Sequence, residues 1–118
     1  MLTIKCLFPK NQYTLRKATI KTASDEVFYI GHTETITIPN PKGIIRFRLD
    51  YHSTKLNTSE IDNDAFVLVY LKHRKTFPYI YTDIMFKNAM EARVVSKSEF
   101  NNFESEYFSP ADVSPAKI

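Results

Sequence analysis

The sequence predicts a mainly β protein: an antiparallel β-sandwich or open barrel of about seven or eight strands, with one C-terminal helix. Three observations predict this. Apolar and polar residues alternate in several short stretches, residues 66–71 are apolar on both parities, and only one late segment combines helical spacing with a start signal. The chain accordingly divides into a β domain over 1–96, an amphipathic helix over 97–108 and a flexible tail over 109–118.

The elements follow in order. Leu2, Ile4, Cys6 and Phe8 alternate with Thr3 and Lys5, and Pro9-Lys10-Asn11 ends this first strand with turn chemistry. Between residues 13 and 22 the apolar parity shifts from Tyr13 and Leu15 to Ala18 and Ile20, as an inserted β-bulge residue would cause. Ser24-Asp25 reads as a turn, residues 27–30 as a short strand, and Gly31 as a bend or close backbone approach that a β-carbon would hinder. Ile36 and Ile38, then Ile45, Phe47, Leu49 and Tyr51, alternate with polar residues on either side of Pro39-Asn40-Pro41-Lys42-Gly43. That pattern predicts a hairpin with Ile36, Ile38, Ile45 and Phe47 on one face. Residues 53–64 are polar apart from Leu56 and Ile61 and read as an irregular connection or one poor strand.

Residues 66–71 should form a central strand covered on both sides. Phe47, Leu49, Leu68 and Tyr70 are therefore expected in the core. Residues 72–75 form a basic turn; residues 76–86 read as a strand, with a helix over 79–90 as the competing reading. Met90, Ala92 and Val94 close the β part. Ser96-Lys97-Ser98-Glu99 has capping-box spacing, and Phe100, Phe103 and Tyr107 recur at helical intervals.

Composition narrows the class. The 118 residues suit one domain, and 43% hydrophobic content is enough to build a core. A net charge of +3 is too mild to name a partner. Cys6 is the single cysteine, which excludes an intrachain disulfide framework, and no apolar run approaches the ~20 residues that span a bilayer. The lone cysteine fits a cytoplasmic setting best, with a disulfide-free periplasmic domain as the alternative, and the alternating residues 1–6 resemble neither a signal-peptide core nor a lipid-attachment leader.

Catalytic and metal signatures do not emerge. His32, His52 and His73 are dispersed, lack zinc-ligand spacing and read as surface or structural residues. Cys6 lies on the apolar parity of its strand, where burial makes a thiol inert. Glu60, Asp62 and Asp64 lack the glycine and distal glutamate of a calcium loop, and Gly31 and Gly43 form no phosphate-binding loop. Gly-x-Ser-x-Gly does not occur. Asn57-Thr58-Ser59 matches a glycosylation sequon, which without a secretory leader is read as chance. Neither enzyme activity nor a metal or other cofactor is expected.

Two features point to binding. Phe100, Phe103 and Tyr107 share one side of the predicted helix, where they either dock on the sandwich or meet a protein partner, which includes a second copy of the chain. Docking is the expected outcome. Arg46, Arg48 and Lys42 on a polar sheet face, with Lys72, Arg74 and Lys75 in a turn and Tyr29 and Tyr79 as stacking surfaces, suit a single-stranded nucleic acid.

Thr35-Ile36-Thr37-Ile38, Gly43 and Ile45-Arg46-Phe47-Arg48-Leu49-Asp50-Tyr51 with Ser53 resemble the hairpin of small bacterial β-sandwich domains of the PEGA type and related uncharacterised domains. The resemblance covers residues 18–57 and implies an extracytoplasmic or accessory binding module without catalysis. It assigns no site residues. The leading expectation is a noncatalytic protein-binding or scaffold module, with single-stranded nucleic-acid binding second.

Overall fold

Alternating side chains sort the strands into two sheets that turn their apolar faces toward one another. A computed structural model of the chain describes residues 1–8, 16–50, 52–72 and 88–107. Within them lie β1 (Leu2–Leu7), β2 (Lys17–Lys21), β3 (Val27–Gly31), β4 (Thr35–Ile38), β5 (Ile44–Leu49), β6 (His52–Asn57), β7 (Ala65–Leu71), β8 (Met90–Val95) and the helix α1 (Lys97–Tyr107). The first sheet has the order β4-β1-β7-β8 and the second β3-β2-β5-β6, neither closed into a barrel. The mainly β, open-sandwich prediction therefore holds. Pairing is antiparallel except between β1 and β7, which run parallel with Leu2 opposite Ala65 and Leu7 opposite Tyr70.

The sandwich interior takes Leu2, Ile4, Cys6 and Phe8 from the first strand's inward parity, and Val67, Val69 and Leu71 from β7. Ile20, Ile30, Ile45, Phe47 and Leu49 meet them from the second sheet. The other parity of β7 is equally apolar and faces the helix. Leu68 and Tyr70, with Leu7, form a separate cluster beneath Phe100 and Tyr107, edged by Phe66, Val95 and Phe103. All four predicted core residues are buried, but Leu68 and Tyr70 belong to this outer layer while Phe47 and Leu49 lie between the sheets. The central-strand prediction for residues 66–71 is borne out on both faces.

The expected hairpin across residues 35–51 does not form. β4 pairs with β1, with Ile38 opposite Leu2 and Ile36 opposite Ile4, whereas β5 lies between β2 and β6. Ile38 therefore joins the same core as Ile45 and Phe47 from the opposite sheet rather than along one sheet. The physical reason is that two facing sheets and a single hairpin impose the same period-two pattern, so alternation cannot separate an arch from a hairpin. The connection itself carries the difference. Asn40 Nδ2 donates to the main-chain oxygens of Thr58 and Ile61 at 3.3 and 3.0 Å, while its Oδ1 accepts from Lys42 N at 2.8 Å and Thr58 Oγ1 at 2.7 Å. These bonds fasten the arch to the segment between β6 and β7. Lys42 sits there at φ 55°, in the left-handed region.

Residues 53–57 pair along β5 and are a regular strand, which polar composition left open. Tyr13 and Leu15 lie outside the described residues, so the bulge expected across Arg16-Lys17 is described only on its β2 side, where Lys17–Lys21 pair in continuous register. The competing strand and helix readings near residue 80 and the tail over 109–118 also lie outside them. Gly31 meets its expectation: its N–H donates to Glu34 Oε1 at 2.6 Å, and a β-carbon would approach that oxygen to 3.0 Å.

Both described histidines tie one sheet to the other. His32 Nδ1 accepts from Phe8 N at 2.9 Å beside the β3–β4 corner, and His52 Nδ1 accepts from Ala89 N at 3.0 Å where β6 meets β8. Asn88 reinforces the second edge by pairing with both main-chain groups of Ser53. The helix starts where its cap predicts, with Ser96 Oγ accepting from Glu99 N at 3.1 Å. It covers the outer face of the first sheet. Among the described residues nothing covers the outer face of the second, and no helix is long and apolar enough to cross a membrane.

Candidate functional site

The outer face of the second sheet gathers cations. Inward residues of β2, β3, β5 and β6 are apolar or small apart from the buried His52, so strand pleating sends the intervening residues to the outer face. The register then sets their neighbours. One row across the sheet reads Val27, Lys21, Arg46, Lys55, because Lys21 pairs with both Val27 and Arg46 and Arg46 pairs with Lys55. The adjacent row reads Tyr29, Thr19, Arg48, Ser53, and Lys17 stands one further row along β2. Lys17, Lys21, Arg46, Arg48 and Lys55 thus share one face without an interleaved carboxylate.

Few of these charges are neutralised. Lys21 Nζ lies 3.8 Å from Asp25 Oδ1 in the exposed turn, and Arg48 Nε donates to the main-chain oxygen of Asp50 at 3.2 Å. Among the described residues no carboxylate lies within ion-pair distance of Lys17, Arg46 or Lys55. Strands lie about 4.8 Å apart, and like charges directly opposite one another destabilise a sheet. Lys21, Arg46 and Lys55 form such a row. The carboxylates of Glu91 and Glu99, on β8 and α1, are met there by Lys72 and Arg93, whereas Asp25 and Asp50 stand in the turns at the ends of the basic strands, where Asp50 pairs with Arg16 at 2.5 Å.

Tyr29 stands at the margin of the basic face on β3, which is an edge strand. Its side chain is 62% exposed, the highest value among the large hydrophobic residues described. It makes no hydrogen bond or ring contact among the described residues. Thr19 separates it from Arg48 in the same row, and Lys17 and Lys21 lie diagonally to either side.

The other residues singled out in the sequence lie elsewhere. Lys42 belongs to the β4–β5 arch, where Nζ bonds the main-chain oxygen of Ile61 and Asp62 Oδ1, so it is not on the face. That ammonium holds the Asp62 carboxyl below its ordinary range, through its hydrogen bond first and its charge second. Lys72 extends from the end of β7 in the other sheet and lies 3.6 Å from Glu91 Oε2. Arg74, Lys75 and Tyr79 are outside the described residues.

Phe100 and Tyr107 are buried between α1 and the first sheet, and Phe103 is half-buried there with its ring centroid 4.8 Å from that of Tyr70. The helix docks on the sandwich. Cys6 is fully buried, and burial, with the Glu34 charge second, pushes its thiol far above the usual range. Glu60, Asp62 and Asp64 are exposed, and no group of three His, Cys, Asp or Glu side chains among the described residues is placed to hold a metal ion.

Sequence reading found Arg46 and Arg48 but missed Lys17, Lys21 and Lys55. Their outward parity is legible in the alternation. What joins them is the strand order, with β5 inserted between β2 and β6, and single-strand patterns do not carry that order. No family model matches the chain, and no curated protein or solved structure matches it.

Proposed function

We propose that this protein is a noncatalytic binding domain whose working surface is the outer face of the β3-β2-β5-β6 sheet and whose ligand is a nucleic acid. The row Lys21, Arg46, Lys55 carries this reading. Three adjacent cations weaken their own sheet, and a polyphosphate chain laid across them offsets that repulsion. The burial of Phe100 and Tyr107 supports the same choice over a helix-mediated protein partner, since those aromatics already have an occupant for their apolar face.

A flat face of lysine and arginine meets phosphates without reading sequence, and arginine adds bidentate hydrogen bonds to phosphate oxygens. Five contacts to a single strand give a plot of log affinity against log salt with a slope of about −3.5. The test is retention of oligothymidylate by the intact chain as salt is raised. Replacing Arg46, Arg48 and Lys55 together by glutamine should make that slope about 2 shallower, while the circular dichroism spectrum stays unchanged. Absence of retention at low salt overturns the proposal.

A further inference from the structure

We infer that the basic face takes its nucleic acid single-stranded, with an unpaired base stacked on the ring of Tyr29; this rests on the reading of that face as a phosphate-binding surface. Three observations place Tyr29 in this role. Its ring is exposed on the outward parity of β3, at one end of the row that runs through Thr19 to Arg48. Its cross-strand neighbour Thr19 is short, so the ring is not hidden beneath a long side chain. Lys17 and Lys21 occupy the two diagonal positions on β2, roughly 7–8 Å away by ordinary sheet geometry. Each reaches a phosphate that flanks the stacked base.

The chemistry selects unpaired strands. In a duplex the π-faces of the bases are already stacked on one another and only their edges reach the grooves, so an aromatic ring lying in a flat sheet gains nothing from them. A single strand presents whole base faces, and stacking them on an exposed ring is tolerant of sequence. The surrounding cations hold the backbone of either form. Tyr29 therefore decides between strands while Lys17, Lys21, Arg46, Arg48 and Lys55 supply the bulk of the attraction. Val27, on the next outward position of the same edge strand, continues the apolar margin along which a second base lies.

The experiment compares ligands of matched charge on the intact chain. Oligothymidylate, an abasic oligonucleotide of the same length and inorganic polyphosphate are titrated against wild type, Tyr29→Phe and Tyr29→Ala at one low salt concentration. Wild type should bind oligothymidylate roughly tenfold to a hundredfold more tightly than the abasic strand. Tyr29→Ala should remove that preference and leave polyphosphate binding unchanged, whereas Tyr29→Phe, which keeps the ring, should retain it. Equal wild-type affinity for the abasic and base-bearing strands overturns the stacking inference and leaves phosphate binding by the face standing. Failure of wild type to bind any of the three overturns the phosphate-binding reading as well. Because the abasic comparison uses wild type alone, a folding defect in a variant does not decide the outcome.

Discussion

The phenol of Tyr107 donates to the main-chain oxygen of Leu71 at 2.6 Å, which fastens the last turn of α1 to the end of β7. The ring of Tyr107 also meets Phe103 and Tyr70, at centroid separations of 5.8 and 6.2 Å. One residue thus joins helix to sheet by both polar and apolar contact.

Tyr107→Phe keeps the ring and removes the hydroxyl from a buried carbonyl. It should lower stability by about 1–3 kcal/mol, whereas Tyr107→Ala should cost about 3–5 kcal/mol by opening a cavity beneath the helix. Urea denaturation of the three proteins checks both values. Coincident midpoints for wild type and Tyr107→Phe would show that the hydrogen bond contributes nothing net.

Leu68→Ala should cost roughly 2–5 kcal/mol, although Leu68 points away from the space between the sheets. Ending the chain after Ser96 should cost more, because Leu7, Phe66, Leu68 and Tyr70 then lose their cover together. A truncated chain with an unaltered denaturation midpoint would contradict the docked helix.

Alkaline pH should destabilise the fold. Burial, aided by the Glu34 carboxylate, lifts the Cys6 thiol, and burial, aided by Cys6 and Tyr70, lifts the Tyr107 phenol. The unfolded chain releases a cysteine proton near pH ~8.5 and a tyrosine proton near ~10, while the folded chain holds both. The native state therefore binds more protons, so stability is complete below about pH 8.5 and falls as pH rises beyond it. Cys6→Ala should flatten the first part of that decline. The same burial predicts that a thiol reagent modifies wild type no faster than the protein unfolds, and rapid labelling at pH 8 would refute it.

Asn40→Ala should destabilise by roughly 1–3 kcal/mol, since one side chain serves two carbonyl oxygens, a main-chain N–H and the Thr58 hydroxyl. Amide exchange should be faster at Lys42, which donates to Asn40 Oδ1, with little change at Arg46. Uniform exchange across both positions would show that Asn40 supports the whole fold rather than the arch.

Much of the fold was legible because burial has a period. Leu2, Ile4 and Cys6 announce β1, and the double apolar parity of residues 66–71 announces a strand covered on both faces. Ser96 and Glu99 mark the helix start through a bond that is local in sequence. The partner of each strand was less legible. Ile36 and Ile38 look the same whether they answer Ile45 within a hairpin or across a sandwich, and only the pairing with β1 separates the two. The basic face was obscured for the same reason, because Lys21 and Lys55 become neighbours of Arg46 through pairings remote in sequence.

The parallel pairing of β1 with β7 sets the order of events during synthesis. Residues 2–7 are made before either of their partners, since one side of their strand pairs with residues 35–38 and the other with residues 65–70. Closing such long loops carries an entropic cost before any contact offsets it, and distant pairings slow folding. A nascent chain arrested before β7 leaves one hydrogen-bonding side of β1 unfilled, with Leu2, Ile4 and Leu7 lacking their later cover. Such a chain is aggregation-prone, and a chaperone that binds short apolar strands would find its target in β1 until β7 is made.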